Sequence, residues 1–405
     1  MLTRRRFLTA SSLVAWGPVA PAFLARTARA AARDRERILV MVQLTGGNDG
    51  LNTVIPRNDP LYASLRPTIK IPRNEIRAID DRFGFHPALE GFAKLLEKQA
   101  LCVVHGVGYP NPSQSHFRSM DIWQAGSTDD TLTEGWIGKS LKRVSGAAFH
   151  LAAGNEVAPL ALAGAPVRAP SISSLADYQM KYAAGPAAET KAQRAIIEDA
   201  ARPASPSAGL LDFVNKTSVS AFESSRRLKE IGADYQPAVP YPQTGLADRL
   251  KLAAQLIDAD IGARVFYVSI DGFDTHSGQG GATGVHANLL REVGDAIAAF
   301  YGDVSARGHG DRVLIATFSE FGRRARENGS RGTDHGAGAP MFLVGGKVRP
   351  GLVGEHPSLE KLDDGNLKHT TDFRRVYATL CDRWLGAPSA DVLGASFPHA
   401  DVLRT

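Results

Sequence analysis

Residues 38–50 read Ile-Leu-Val-Met-Val-Gln-Leu-Thr-Gly-Gly-Asn-Asp-Gly: a mostly apolar run that stops abruptly in a glycine-rich polar turn. A short, β-branched apolar run bounded by turn residues is the pattern of a strand buried on both faces, as in a parallel sheet. The same reading predicts strands at Leu101–Val104, Pro159–Ala163, Arg264–Ile270, Val313–Phe318 and Met341–Val344. Between them, Pro87–Gln99, His286–Val304 and Asp372–Leu385 place apolar residues at helical spacing; Leu289, Leu290, Val293, Ile297 and Phe300 share one face. Strands alternating with helices predict an α/β fold: a three-layer α/β/α sandwich with a mostly parallel central sheet. From about 171 to 260 the pattern turns helical, polar and alanine-rich, broken by the Pro-rich stretch Tyr235–Pro242. This range reads as a helical insertion between the two halves of the sheet.

The first thirty residues read differently from the rest. Thr3-Arg4-Arg5-Arg6-Phe7-Leu8 opens a modestly apolar stretch to Leu24, and Ala28-Arg29-Ala30 supplies a small-x-small cleavage pattern. The stretch holds Ser11, Ser12, Gly17, Pro18 and Pro21, too broken to span a bilayer comfortably. The expectation is a cleavable twin-arginine signal over 1–30, the twin-arginine translocase as partner during export, and a single domain over 31–405. The destination is then periplasmic or secreted, with no stable membrane span after cleavage. Cleavage also changes the charge argument. The whole chain carries +5, and the first thirty residues hold five arginines and no acid, so the remainder is near neutral. That removes the electrostatic case for nucleic acid. Export permits a disulfide, but Cys102 and Cys381 both sit in apolar runs and read as buried small side chains.

In open parallel sheets ligands bind beyond the carboxyl ends of the strands, and several predicted strands lead into polar clusters. Ile38–Leu44 leads into Thr45-Gly46-Gly47-Asn48-Asp49-Gly50. Arg264–Ile270 leads into Asp271-Gly272-Phe273-Asp274-Thr275-His276, and Val313–Phe318 into Ser319-Glu320-Phe321-Gly322-Arg323. Thr333-Asp334-His335-Gly336 follows. Taken singly, each has a bland reading: a turn, a helix cap, a solvated strand end, a loop. Taken together they place carboxylates and imidazoles around one crevice, as a zinc or mixed-metal site requires. A fifth segment, Pro110-Asn111-Pro112-Ser113-Gln114-Ser115-His116-Phe117, runs into a predicted helix at Arg118–Ala125. Ser113 or Ser115 could cap that helix, or offer a hydroxyl at its anion-favouring N-terminus for activation as a nucleophile. Neither a P-loop nor a G-x-G-x-x-G fingerprint is present, which argues against nucleotide phosphate binding and a nicotinamide oxidoreductase.

Gly46-Gly47-Asn48-Asp49-Gly50-Leu51-Asn52, Ser115-His116-Phe117, Gly135-Trp136-Ile137-Gly138 and Gly272-Phe273-Asp274-Thr275-His276 resemble the signatures of one family. Ser319-Glu320-Phe321-Gly322-Arg323, Gly332-Thr333-Asp334-His335-Gly336 and Asp372-Phe373-Arg374-Arg375-Val376-Tyr377 resemble it too. It is the twin-arginine-exported domain of unknown function numbered fifteen-oh-one, and the resemblance spans essentially all of 31–405. It implies an alkaline phosphatase-like core, related to sulfatases and phosphomutases, without a known reaction. Within that superfamily pattern Asp49 matches the acid after the first strand. Asp274 and His276 match a later Asp and His, with Asp271 as a competitor for the acid. His335 matches the last histidine. The usual Asp-His pair is replaced by Glu320-Phe321, and the sulfatase Cys-x-Pro-x-Arg motif is absent. The nucleophile position falls on Ser115 or His116.

The sequence reading is therefore an exported metal-dependent hydrolase of phosphate or sulfate esters. Asp49, Asp274, His276, Glu320, Asp334 and His335 are its expected metal ligands, and the metal is one or two divalent ions, zinc foremost. Ser115 is the expected nucleophile, His116 a neighbouring acid/base or the nucleophile position itself, and Arg323 the expected contact to a small anionic ester. The alternative is a non-catalytic binding or assembly protein on a degenerate phosphatase-like scaffold, working with an exported protein partner.

Overall fold

The computed structural model describes residues 36–129, 131–175 and 235–404. The expected signal segment and the greater part of the expected insertion lie outside the described residues. Twelve strands are present among them: β1 (Ile38–Leu44), β2 (Val54–Pro56), β3 (Arg77–Ala78), β4 (Phe83–Phe85), β5 (Leu101–Gly108), β6 (Ala147–Leu151), β7 (Ser171–Ile172), β8 (Ala263–Ile270), β9 (Val313–Phe318), β10 (Ala339–Val344), β11 (Gly351–Val353) and β12 (Thr371–Asp372). Nine form one sheet in the order β11-β5-β10-β9-β1-β8-β6-β7, with β12 also paired to β5; β2, β4 and β3 form a small second sheet. β1 lies between β8 and β9, parallel to both, and β10 alone runs against its neighbours β5 and β9. The fold class expected from the sequence, α/β with a large and mostly parallel central sheet, is the one observed.

Strand alternation explains the two helical layers. Ile38, Val40, Val42 and Leu44 point to one side, into a core built with the helices Glu90–Glu97, Gly245–Asp258 and Val285–Ala306. Leu39 and Met41 point to the other, against His116–Ala125, Trp136–Leu141 and Phe373–Thr379, the last continuing as a π turn over Leu380–Leu385. Because successive side chains of a strand face opposite ways, one central strand with no exposed position needs helices on both sides. Cys102 and Cys381 are both buried and unbridged.

Three sequence expectations change. Pro159–Ala163 is not a strand; Leu160–Leu162 is a single 3-10 turn, and Pro159 lacks the N–H a ladder would need. β6, Ala-Ala-Phe-His-Leu, was not legible as a strand because its two alanines and histidine carry little β preference. Ser171–Ile172 joins the sheet edge and Gly245–Asp258 packs beneath the sheet, so both described margins of the 171–260 range belong to the α/β core.

Candidate metal centre

β1, β5, β8 and β9 all run the same way, so the loops that follow them open at one edge of the sheet. β10 runs the opposite way, which brings the segment before it, including His335, to that same edge. His335 forms an isolated antiparallel bridge with Arg323, and Gly322 and Gly336 close the ladder through Gly322 N–H to Ala337 O (2.7 Å) and Gly336 N–H to Gly322 O (2.9 Å). The loop after β1 passes very close to that after β8. At Gly46, with φ +118°, an added Cβ would lie 2.3 Å from the Asp274 backbone nitrogen, so no side chain fits there.

The ligand-capable atoms of His116, Asp274 and His335 lie within 4.8 Å of one another. His276 joins them: its Nε2 is 2.9 Å from His335 Nε2 and 3.1 Å from Asp274 Oδ1. His335 Nε2 is 3.2 Å from Asp274 Oδ1, and His116 Nε2 is 3.5 Å from Asp274 Oδ2. The opposite nitrogen of each ring faces an acceptor. His116 Nδ1 meets Glu320 Oε1 (2.7 Å), His335 Nδ1 meets the Gln114 carbonyl (2.8 Å), and His276 Nδ1 meets Asp334 Oδ1 (3.1 Å). A carbonyl or carboxylate oxygen only accepts, so each Nδ1 donates a hydrogen, which leaves each Nε2 as the ring atom that a cation would take in place of a proton. Three Nε2 atoms thus converge on one carboxylate. His116 Nε2 is a buried atom without a hydrogen-bond partner, and the Nε2 atoms of His276 and His335 face each other at 2.9 Å. A cation at the point of convergence would give all three a partner. Zinc–nitrogen bonds of about 2.0–2.1 Å put tetrahedral ligand atoms roughly 3.3 Å apart, which the observed spacings match. Each ring is also oriented from behind by an acceptor, as metal-bound imidazoles are. The donor set fits a divalent metal.

Electrostatics favours the same state. Burial raises the Asp274 carboxyl, but the Arg323 hydrogen bond and charge, with His335 and His276, outweigh it and bring it to about 2. His335 is lowered, foremost by burial, against the opposing pull of the Gln114 carbonyl and Asp274, so its ring is neutral and able to ligate. Asp334 is lowered by the Asn328 amide and His276, with burial opposing.

Not every expected residue is in this cluster. Asp49 stands apart, fully buried, with Arg66 Nη1 and Nη2 on its two oxygens (2.5 and 2.9 Å) and Gln279 Nε2 at 2.5 Å. A guanidinium holds the place where a metal was expected. Arg323, expected to meet the ester, is buried and turned inward. Its Nε donates to the Gly47 carbonyl (2.7 Å) and Nη1 to that of Thr333 (2.9 Å); Nη2 donates to the carbonyls of Gly46 and Phe273 and to Asp274 Oδ1 (2.7 Å). It is a clamp on three loops, and every nitrogen is committed. Glu320 is buried behind His116, where Oε1 also accepts from Gly46 N–H (2.8 Å), and Asp334 stands behind His276; both touch ring Nδ1 atoms rather than the convergence point. Asp271, the competing acid, is exposed and takes no part in the cluster. Phe321 packs its ring against His116 and His335, at centroid distances of 4.9 and 4.6 Å, and walls one side. Ser115 is exposed and caps the helix His116–Ala125 without a side-chain cap bond.

Arg66, Gln279, Asn328 and the Gln114 carbonyl were missed from sequence. Only Arg66 carried a signal, a lone arginine 17 positions after a buried acid, and nothing local ties the two.

A model of a protein family of unknown function, DUF1501, matches residues 36–387. The chain belongs to the DUF1501 family. No curated protein matches it at a significant level. Among solved structures, this DUF1501 chain is similar to a sulfatase from Pseudoalteromonas sp. at 13% identity, covering 95% of this chain and 77% of that one, with a TM-score of 0.36. A murine ectonucleotide pyrophosphatase/phosphodiesterase solved with AMP matches at 8% identity, 90% and 97% coverage and TM-score 0.38. A protein of the alkaline phosphatase superfamily from Vibrio parahaemolyticus matches at 9% identity, 88% and 72% coverage and TM-score 0.35.

Proposed function

We propose that this DUF1501 protein is an exported hydrolase of phosphate or sulfate esters that works with a single divalent ion, zinc foremost. The observation that carries the reading is the convergence of three Nε2 atoms, from His116, His276 and His335, on the Asp274 carboxylate. These four residues would hold the ion, with Glu320, Asp334 and the Gln114 carbonyl fixing the rings. When bound, the ion would supply Lewis-acid polarisation of a phosphoryl or sulfuryl oxygen. Asp49 is excluded from the ligand set by Arg66, which supports one ion rather than two.

Ser115 is the nucleophile in this reading. It lies between Gln114, whose carbonyl holds His335, and His116, and its hydroxyl is free of a cap bond. The first N–H groups of the ten-residue helix behind it favour the anionic oxygens of an ester. The acid/base role expected of His116 gives way to ligation, because its Nδ1 is held by Glu320 and its Nε2 faces Asp274. Phe321, standing where the superfamily pattern has a ligand, favours the second reading, a non-catalytic binding or assembly protein on a degenerate phosphatase-like scaffold. Export rests on the twin-arginine pattern of residues 1–30; among the described residues no helix is long and apolar enough to cross a membrane.

The test is elemental analysis of the exported protein beside an Asp274→Ala/His276→Ala double variant, followed by aryl phosphate and aryl sulfate hydrolysis. The expected result is about one equivalent of transition metal in the wild type, lost with hydrolysis in the variant. Metal without turnover on either ester class supports the binding protein. No metal in either folded protein, with metal offered during purification, removes the metal-dependent hydrolase and leaves the binding or assembly protein.

A further inference from the structure

A second polar constellation sits at the same carboxyl edge, two strands from β1, and shares no residue with the metal centre. His150 is the fourth of the five residues of β6, Glu156 lies in the turn that follows, and Ser171 opens β7 directly across the ladder from His150. His150 Nδ1 is 2.8 Å from Ser171 Oγ, and His150 Nε2 is 3.7 Å from Glu156 Oε2. We propose that Ser171, His150 and Glu156 form a second, metal-independent catalytic site that cleaves carboxylic esters.

The bland alternative is a buried histidine satisfied by a neighbouring hydroxyl. Two features go beyond it. A ring satisfied by Ser171 alone needs no carboxylate on its far side, yet Glu156 is held there by the Ala153 N–H (3.0 Å) and the Ser269 hydroxyl. Burial raises that carboxyl, but the nearby His150 ring and the bonds from Ala153 and Ser269 bring it to about 2, so it stays anionic and favours the hydrogen on Nε2. His150 Nε2 itself is fully buried and lacks a hydrogen-bond partner, while the Ser171 at the other nitrogen is exposed to solvent. The order is an accessible hydroxyl, a buried base and an anchored anion. That is the arrangement of an activated nucleophile, in which contacts loosen when no substrate is bound.

The chemistry balances without a cofactor. Ser171 Oγ bonds to the acyl carbon as its proton passes to His150 Nδ1, and the imidazolium is stabilised by Glu156 across Nε2–H. The same proton then goes to the departing alcohol oxygen as the ester C–O bond breaks. Water repeats the sequence on the acyl-serine and releases the carboxylic acid.

The experiment is labelling of the full exported chain with a fluorophosphonate reagent, with the modified peptide mapped by mass spectrometry. The expected result is one adduct on Ser171, absent in Ser171→Ala and formed at least about 10²-fold more slowly in Glu156→Gln, because the base keeps its place but loses the anion that stabilises its imidazolium. Ser171 is exposed, so the alanine variant is expected to melt like wild type, and melting of each variant is recorded alongside. No adduct in folded wild type, an adduct elsewhere such as Ser115 with Ser171 unmodified, or an unchanged rate in folded Glu156→Gln would each overturn the proposal. Because labelling needs no metal, its failure leaves the ester hydrolase reading of the His116 cluster standing, and the converse holds.

Discussion

Asp49 and Asp274 follow neighbouring parallel strands, in loops that touch each other, and meet opposite fates. Asp49 is shut away from solvent, with both oxygens taken by Arg66 and a further bond from Gln279. Asp274 has a side chain 47% exposed, one oxygen clamped by Arg323, and three imidazole nitrogens aimed at it. The first acid has its cation built into the chain. The second is surrounded by imidazole nitrogens and has Arg323 as its one permanent cation, already shared among four backbone carbonyls. Identical local signals, an acid after a buried strand, thus give a structural ion pair in one loop and a candidate ligand in the next. What separates them is how completely the counter-charge covers the acid: Arg66 takes both oxygens of Asp49, whereas Arg323 takes one oxygen of Asp274.

The sharpest way to break that comparison is to remove the built-in cation. Arg66→Met leaves a fully buried, unpaired carboxylate, and breaking a buried pair from one side costs about 3–5 kcal/mol. Asp274→Asn on the metal-free protein keeps an oxygen for Arg323 in a half-exposed site, and its expected cost is within about 1 kcal/mol. Urea unfolding of both variants measures the difference. Equal losses would mean that the Asp49 pair is no more structural than the Asp274 cluster.

Acid exposes the same contrast next. His286 is fully buried against Asn48 beside Asp49; burial dominates, outweighing the pull of Asp49, and lowers its ring to about 3. His105 is lowered to about 3, again chiefly by burial. Below pH 6.5 the unfolded chain takes up protons at these rings while the folded chain does not, so stability falls as pH drops toward 3. Asp49, raised by burial but brought to about 2 by Arg66, adds a further loss from its ordinary 3.8 downward. A loss of a few kcal/mol between pH 6.5 and 3 is expected in denaturant midpoints, and His286→Gln flattens its upper part. A flat profile in wild type would contradict the buried neutral ring.

How much of this was legible beforehand follows from range. β1, β8 and β9 declared themselves because a strand buried on both faces needs an apolar residue at nearly every position. The loops that carry Asp274, His276 and His335 were legible from the same logic, since parallel strands deliver their carboxyl ends to one edge. The division of labour inside the cluster was not. His116 became a ligand candidate only because Glu320, 204 positions away, occupies its Nδ1, and Arg323 became a clamp because four carbonyls from three loops surround it. Those facts depend on which way a ring or guanidinium turns, and periodicity carries no information about that. The Ala147–Leu151 strand escaped for another reason: its membership is decided by β8 beside it rather than by its own residues.

The smallest effect tests whether an acid acts on the metal directly or through a ring. Glu320 was expected to ligate, but it lies behind His116 with the imidazole between it and Asp274. If Glu320 only holds the ring, Glu320→Gln keeps an acceptor for Nδ1 and Gly46 N–H while removing the charge that makes Nε2 a better donor. Metal affinity then falls about 10–100-fold, the usual scale for such a partner, which is about 1.4–2.7 kcal/mol. Competition with a chromogenic chelator measures this. Asp274→Asn, at the point of convergence, should lose binding beyond the range of the same assay. If Glu320→Gln lost it equally, Glu320 would have to reach the ion itself, and His116 would have to swing aside to let it.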